Sequence, residues 1–174
     1  DILSYYQVPP ERIAVVYHGN SLDVNNTLWT NEIQNLKLPQ RYLLYIGDRK
    51  GYKNFNFFIE CVSEILVKDR SLHIVCGGGP CFSKEENSMY HMYNIQGQVH
   101  HVPIHSDAQL IALYKRALVF VFPSLYEGFG IPVLEAFACN CPLIICNTGA
   151  LPEIAGDACL KFGPHDKQSL VSSI

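Results

Sequence analysis

The sequence predicts an α/β domain in which a doubly wound, mainly parallel β-sheet carries helices on both faces. Short apolar, β-branched segments alternate about six times with segments whose apolar residues recur at helical spacing, and the connections are short. Residues 118–122, Leu-Val-Phe-Val-Phe, contain no polar side chain, which is typical of a strand covered by helices on both sides. This alternation is the pattern of a sheet built from strand–helix–strand units.

The elements follow one another in a regular order along the chain. Strands are predicted at residues 13–17, 42–46, 72–76, 99–102, 118–122, 143–146 and 159–162. Helices are predicted at residues 55–67, 83–94, 132–138 and 152–154, around 110–114 after a cap at Ser106 or Asp107, and at the start of 166–174. Residues 20–39 are polar and are predicted to form a long connection.

In such a sheet the carboxyl ends of the strands lie along one edge, because the strands are parallel and are joined by right-handed crossovers. The loops after residues 46, 76, 102, 122 and 146 are therefore predicted to meet at that edge. Any ligand crevice of this domain is expected among these loops.

Composition narrows the classes of function. The chain has 174 residues and a net charge of −3, with its lysines and arginines scattered, so a single domain without a nucleic-acid-binding surface is predicted. The longest apolar runs are far shorter than the roughly 20 residues of a membrane-spanning helix, so membrane contact is expected to be peripheral at most. Seven cysteines without a C-x-x-C pair predict reduced thiols in the core rather than a zinc site.

The segment from Pro123 to Ala136 carries the strongest chemical signal. Glu127 and Glu135 stand eight positions apart and flank two glycines and a proline, in the order Gly128, Gly130 and Pro132. The glycines let the backbone approach a ligand, and the proline suits the first turn of a helix. A helix that begins here would present free amide N–H groups and positive potential to a diphosphate.

The motif E-G-F-G-x-P-x-x-E-A, with Glu127 and Glu135 as its two carboxylates, resembles the signature of glycosyltransferase family 4, the group 1 glycosyltransferases. Residues 13–20 resemble the strand and Gly-Asn turn that open the C-terminal domain of this family. Residues 42–54 resemble its diphosphate loop, and residues 147–154 resemble its G-G-x-P-E-I segment, with Ala150 where glycine is usual.

The resemblance implies that residues 1–174 are the Rossmann-like C-terminal half of a GT-B enzyme, separated from a second domain and cut short at the C-terminal end. Arg49 and Lys53 would bind the diphosphate and stabilise charge on the departing nucleoside diphosphate, although Lys50 is an open alternative for the phosphate contact. Glu127 would hold the donor sugar, and Glu135 the ribose. The remaining expected binding residues are Gly47, Gly78, Gly128, Phe129 and Gly130.

The same resemblance implies a retaining transferase that moves a hexose from a nucleotide sugar to a glycan or lipid-linked acceptor held by the other domain. Tyr52-Lys53-Asn54 is similar to mannosyltransferases of polysaccharide assembly, which favours GDP-mannose over UDP sugars. No cofactor and no metal are expected, because the sequence has no Asp-x-Asp pair. The isolated domain is expected to be inactive, and the parent protein cytoplasmic, with contact at the inner membrane face as an option.

Other interpretations remain open at this point. The chain fits a nucleotide-sugar domain of another GT-B enzyme, such as an epimerase, or a binding module without catalysis. Glu127 and the basic residues after position 48 fit ordinary solvated loop charges, and Glu135 fits a carboxylate that favours a helix N-terminus. The histidines at positions 100, 101 and 105 fit hydrogen-bonded or solvated side chains better than metal ligands.

Overall fold

A computed structural model describes residues 2–174 and confirms the predicted α/β architecture. Six parallel strands form one sheet in the order β3-β2-β1-β4-β5-β6. The strands are β1 (Arg41–Ile46), β2 (Leu72–Gly77), β3 (Val99–Val102), β4 (Val119–Phe122), β5 (Leu143–Cys146) and β6 (Leu160–Phe162). The predicted strands from residue 42 onward are all present, displaced by at most one residue.

The α-helices of the described residues are α1 (Ile2–Tyr5), α2 (Trp29–Asn35), α3 (Phe55–Lys68), α4 (Lys84–Met92), α5 (Asp107–Arg116), α6 (Ile131–Ala138), α7 (Leu151–Ala155) and α8 (Lys167–Ser173). Short 3-10 turns occupy Pro10–Arg12 and Gly51–Lys53. The predicted cap of α5 is Ser106, whose hydroxyl accepts a hydrogen bond from the amide of Gln109 at 3.3 Å.

Two separate clusters of buried side chains cover the two faces of the sheet. Alternate residues of β1 divide between them, because successive side chains of a strand point to opposite faces. Leu43 and Tyr45 pack with α3, α4 and α8, whereas Tyr42 and Leu44 pack with α5, α6 and α7. Helices therefore lie on both faces, which confirms the doubly wound arrangement.

The strand order reverses at the boundary between β1 and β4. These neighbouring strands are parallel, with Leu43 opposite Val119 and Leu44 opposite Phe120. From β1 the chain proceeds outward to β2 and β3, and from β4 it proceeds outward the other way to β5 and β6. The loops after β1 and β4 therefore leave adjacent strands at the reversal point, the position at which ligands of such sheets bind.

Two predictions near the N-terminus were wrong. Residues 13–17 form no strand: Val15 is 73% and Val16 is 87% exposed, and no strand within residues 2–174 pairs with them. A β-branched sequence needs a hydrogen-bonded neighbour to become a strand, and the described sheet offers none there. The predicted long connection contains helix α2, because the Trp29 side chain packs on the core beside α5 and so adds tertiary stabilisation to a polar segment.

Candidate functional site

The loop after β1 begins at Gly47 and ends at the start of α3. Gly47 has a φ of 112°, a backbone conformation that only glycine adopts readily. The chain then makes the 3-10 turn Gly51–Lys53, and Asn54, with a left-handed φ of 57°, leads into α3. This tight turn places Lys53 at the carboxyl end of the sheet rather than along the helix.

The loop after β4 runs over residues 123–130 and ends in α6. Gly130 is the N-cap residue of this helix with a φ of 100°, and a β-carbon there would lie 2.6 Å from Cδ2 of Leu151. The Thr148 hydroxyl donates to the carbonyl of Leu125 at 3.1 Å, so a hydrogen bond links the loop after β5 to the loop after β4. Pro132 lies in the first turn of α6, as predicted.

The two loops contact each other across the reversal point of the sheet. The amide of Leu125 donates to the carbonyl of Tyr52 at 2.8 Å. Beside this backbone contact, Nζ of Lys53 lies 2.7 Å from Oε1 of Glu127, with side chains that are 19% and 14% exposed. The structure thus brings together two of the predicted site residues from distant parts of the sequence.

Glu135 lies in the second turn of α6 and faces α5. Its Oε2 accepts a hydrogen bond of 2.9 Å from the hydroxyl of Tyr114, which is fully buried. Burial raises the pKa of the Glu135 carboxyl above its ordinary value, and the bond from Tyr114 acts in the opposite direction. Because desolvation dominates, this carboxylate is held at an energetic cost, as is common for functional groups.

Arg49 lies beneath the loops, where its side chain is only 2% exposed. Its Nε donates to Oε1 of Glu86 at 2.7 Å, its Nη2 donates to the carbonyl of Pro80, and its guanidinium stacks on Phe82 at 4.9 Å from the ring centre. Its buried Nη1 has no hydrogen-bond partner among the described residues. A phosphate contact by Arg49 stays a prediction, and in this arrangement the guanidinium joins α4 to the loop after β2.

The glycine-rich loop after β2 packs against the loop after β1. Gly78 and Gly79 have φ values of 74° and 66°. A β-carbon on Gly79 would lie 2.9 Å from the carbonyl oxygen of Gly47 and 3.2 Å from Nη1 of Arg49, so only glycine fits this position. Gly47 and Gly78 therefore lie in touching loops, while their predicted contact with a ligand stays a prediction.

The segment 13–20 reaches the site although it is not a strand. The His18 ring lies edge-on to Phe129 with 4.9 Å between ring centres. The hydroxyl of Tyr17 donates to the carboxylate of Glu153 on α7 at 2.5 Å, and this partner raises the pKa of the tyrosine. Phe129, between Gly128 and Gly130, is thus covered on one side by the chain that precedes α2.

Sequence reasoning missed Glu86 and Tyr114 as neighbours of the predicted site. Both residues lie in segments that were predicted only as helices, residues 83–94 for Glu86 and residues 110–114 for Tyr114. A partial signal exists for Glu86, since Ser83 and Glu86 form a capping box at the start of α4. No sequence pattern pairs Tyr114 with Glu135, because they lie on different helices.

Cavities lie beside the candidate site and at the opposite edge of the sheet. One of 420 Å³ is lined by Asp48, Arg49, Lys50 and Glu86. A larger one, of 570 Å³, lies at the amino ends of the strands, between Arg41, Leu72, Val119 and Leu143. We favour the carboxyl edge as the site despite its smaller cavity, because the polar groups converge there and ligands of parallel sheets bind at that edge.

Three histidines of β2 and β3 make hydrogen bonds through their side chains. Nδ1 of His73 lies 2.9 Å from Nε2 of His100, and Nε2 of His101 lies 3.2 Å from the carbonyl oxygens of Gly78 and Gly79. Within residues 2–174, no three His, Cys, Asp or Glu side chains converge as metal ligands would.

None of the helices described is both long enough and apolar enough to cross a bilayer. All seven cysteines are unpaired, as predicted.

The chain is similar to known proteins in both sequence and fold. Residues 30–174 match the family described as glycosyl transferases group 1. The serotype-specific mannosyltransferase WbdA of Escherichia coli is 48% identical over 179 residues, which cover 98% of this chain and 22% of that protein. The chain spans less than half the length of the curated relatives it matches.

Two solved structures illustrate the likeness in fold. The C-terminal domain of LpcC, a glycosyl transferase group 1 family protein of Francisella tularensis, has a TM-score of 0.66 at 28% identity, covering 82% of this chain and 77% of that one. HepE of Anabaena, crystallised with UDP and glucose, has a TM-score of 0.75 at 18% identity, covering 94% of this chain and 46% of that one.

Proposed function

Because this chain belongs to the glycosyl transferases group 1, we propose that it is the donor-binding domain of a retaining enzyme that moves a hexose from a nucleotide sugar to a glycan or lipid-linked acceptor. The contact between Lys53 and Glu127, 2.7 Å apart at the reversal point of the sheet, is the observation that carries the proposal. A cation and a carboxylate lie together there, beside the N-terminus of α6. A diphosphate needs the cation as its partner, and the hydroxyls of a sugar need the carboxylate.

In this proposal Lys53 is the cation for the donor diphosphate. Its ammonium group and the free amides at the start of α6 stabilise the negative charge that develops on the departing nucleoside diphosphate. No Asp-x-Asp pair is present in the sequence to hold a metal for this task. The open space beside Gly128, where an added β-carbon would meet no described atom within 4 Å, leaves room for the donor near these amides.

The two carboxylates have separate roles in the proposal. Glu127, once Lys53 turns to the phosphates, accepts hydrogen bonds from hydroxyls of the transferred sugar. Glu135 accepts from the ribose diol, since its second oxygen is not used by Tyr114. The cost of holding both carboxylates partly desolvated is repaid when donor hydroxyls bond to them.

Arg49 acts indirectly in the proposal. Its ion pair with Glu86 and its bond to Pro80 fix the glycine-rich loop beside the loop that carries Lys53. If this buried, paired guanidinium moved to a phosphate, it would lose Glu86 and its contacts with the rings of Phe55 and Phe82, which would be destabilising. We therefore assign the direct phosphate contact to Lys53, and to Arg49 the placement of the loop.

Mannose is the proposed sugar, and guanine the proposed base. The support is WbdA, a serotype-specific mannosyltransferase that is 48% identical over nearly all of this chain. The competing base is uracil, because HepE shares the fold and was crystallised with UDP. Since the acceptor and the other half of the crevice belong to further parts of a longer protein in this proposal, the 174-residue chain binds a nucleoside diphosphate but transfers no sugar.

Calorimetric titration of the chain with GDP, UDP and ADP tests the proposal. We expect saturable binding with GDP preferred, and a loss of about ten- to a hundredfold in Lys53→Met, because a charge-assisted contact contributes about 1.5–3 kcal/mol. Lys50→Met is the matched control, since Lys50 is an exposed lysine of the same loop. Absence of binding by all three nucleotides at millimolar concentration, or an equal loss in both variants, would overturn the assignment.

A further inference from the structure

The hydroxyl of Tyr114 is directed at the carboxylate of Glu135. The tyrosine is 0% exposed, its ring packs edge-on against Phe120 at 5.3 Å, and its hydroxyl donates to Oε2 of Glu135 at 2.9 Å. The nearest other acceptor is the carbonyl of Pro132 at 3.5 Å, which is at the limit of a hydrogen bond. A buried phenol held in this way is a well-oriented donor, because its ring is packed and its hydroxyl has one acceptor at good hydrogen-bond distance.

This bond crosses the gap between α5 and α6 and uses one oxygen of the carboxylate. Glu135 belongs to a helix whose start is set by Gly130, and Tyr114 to a helix that ends at Arg116, just before β4 begins at Val119. The side chain of Glu135 is therefore held from two elements, and Oε1 makes no hydrogen bond to the described residues. A flexible glutamate would lose rotamer freedom when it bound a diol, and this one has already lost it.

We propose that Tyr114 is a positioning residue for nucleotide binding: its hydroxyl orients the Glu135 carboxylate so that Oε1 accepts from the ribose hydroxyls. The inference rests on the proposed function, since it concerns the carboxylate assigned to the ribose. Tyr114 itself does not touch the nucleotide. Its contribution is transmitted through Glu135 alone, which separates it from an ordinary core tyrosine.

The charges around Glu135 determine the effect of pH. From α5 it faces Tyr114, which lowers its pKa, and Asp107, which raises it, while burial raises it most. On its own helix the neighbouring titratable group is the thiol of Cys139, and on α7 the carboxylate of Glu153 is engaged by Tyr17 instead. Without the tyrosine hydroxyl the pKa of Glu135 rises further, so the carboxylate becomes protonated at a higher pH.

The first test follows the Glu135 carboxyl by NMR titration of the 174-residue chain without nucleotide. In Tyr114→Phe the midpoint for Glu135 is expected to move to higher pH. Tyr42→Phe is the matched control, because Tyr42 is equally buried and its hydroxyl donates at 2.8 Å to the carbonyl of Leu113 on the same helix. An unchanged midpoint in Tyr114→Phe, or an equal shift in Tyr42→Phe, would overturn the inference.

The second test measures affinity for GDP and UDP and for their 2′,3′-dideoxy analogues. Tyr114→Phe is expected to weaken the ribonucleotides by about three- to tenfold, with a larger loss at lower pH, and to leave the dideoxy analogues unaffected. In a Glu135→Gln background the same change should cost nothing further. Equal weakening of both nucleotide types would mean a merely structural role. If the parent chain binds neither nucleotide, the proposed function fails, and the NMR titration alone decides the coupling of Tyr114 to Glu135.

Discussion

Lys53 and Glu127 form an ion pair of 2.7 Å between residues that are 74 positions apart in the chain. The two residues lie in the loops that follow β1 and β4, the neighbouring strands at which the sheet order reverses. With both side chains more than four-fifths buried, each is the other's main partner. A diphosphate that binds Lys53 must therefore compete with Glu127, and a sugar that binds Glu127 must compete with Lys53.

This competition predicts that Glu127→Gln changes the affinity for two ligands by different factors. GDP without sugar is expected to bind about two- to tenfold more tightly, because Lys53 is released and a negative charge near the phosphates is removed. GDP-mannose is expected to gain less or to bind more weakly, because the carboxylate that accepts from its hydroxyls is lost. Calorimetry with both ligands measures the ratio of affinities, and weaker binding of both by the same factor would contradict a sugar contact by Glu127.

The Arg49–Glu86 pair predicts a large loss of stability in Arg49→Met. Removal of the guanidinium leaves Glu86 partly buried without its partner, which is expected to cost about 3–5 kcal/mol in urea unfolding. The double variant Arg49→Met, Glu86→Leu is expected to recover much of this loss, since no unpaired charge remains. If Arg49→Met instead unfolds at the same urea concentration as the parent chain, the guanidinium is not held as the structure indicates.

Two glycines of the loop after β4 predict different outcomes for the same substitution. Gly130→Ala places a β-carbon 2.6 Å from Leu151 on a backbone with φ of 100°, so a destabilisation of about 1–3 kcal/mol is expected. Gly128→Ala has open space around its β-carbon and no left-handed φ, so its melting temperature is expected to stay close to that of the parent. Its nucleotide-sugar affinity is expected to fall, because the added methyl group occupies the space assigned to the donor. Similar melting temperatures for the two variants would refute the strained geometry of Gly130.

The raised pKa of Glu135 predicts that Glu135→Gln stabilises the chain at neutral pH. Burial makes the folded state hold this proton more tightly than the unfolded state does, so stability falls as pH rises from the ordinary carboxyl range through the raised value. Glutamine keeps an acceptor for Tyr114 and carries no charge. The melting temperature of the variant is therefore expected to exceed that of the parent near neutral pH and to match it in acid, while ribonucleotide affinity falls. If the parent chain is more stable than the Glu135→Gln variant at neutral pH, this explanation is wrong.

The cysteines predict a simple order of reaction with a thiol reagent. Cys81 is exposed and is expected to react first, followed by the half-buried Cys159. Burial raises the pKa of Cys61 and Cys139 to about 11 and that of Cys141 to about 12, which leaves little thiolate to react. Cys81→Ser should abolish the fast phase, and rapid reaction of five or more thiols in the folded chain would show that the core is open.

Much of the fold was predictable because it depends on local patterns. The central strands β1, β4 and β5 are almost entirely apolar, and the apolar residues of the helices recur at helical spacing. The segment 13–17 has the same local pattern and forms no strand, since pairing is decided by neighbours that the pattern does not specify. Helix α2 was missed for the same reason, because Trp29 is stabilised by contacts with a distant helix.

The sequence by itself determined the class of fold, the edge of the sheet at which polar loops collect, and the two glutamates of the candidate site. Only the tertiary structure decided their partners. It paired Lys53 with Glu127, buried Arg49 against Glu86, and placed Tyr114 against Glu135. The physical reason is that hydrogen bonds and ion pairs depend on distances of a few ångströms between side chains from different elements. Those distances are set by how the helices and loops pack, and not by spacing along the chain.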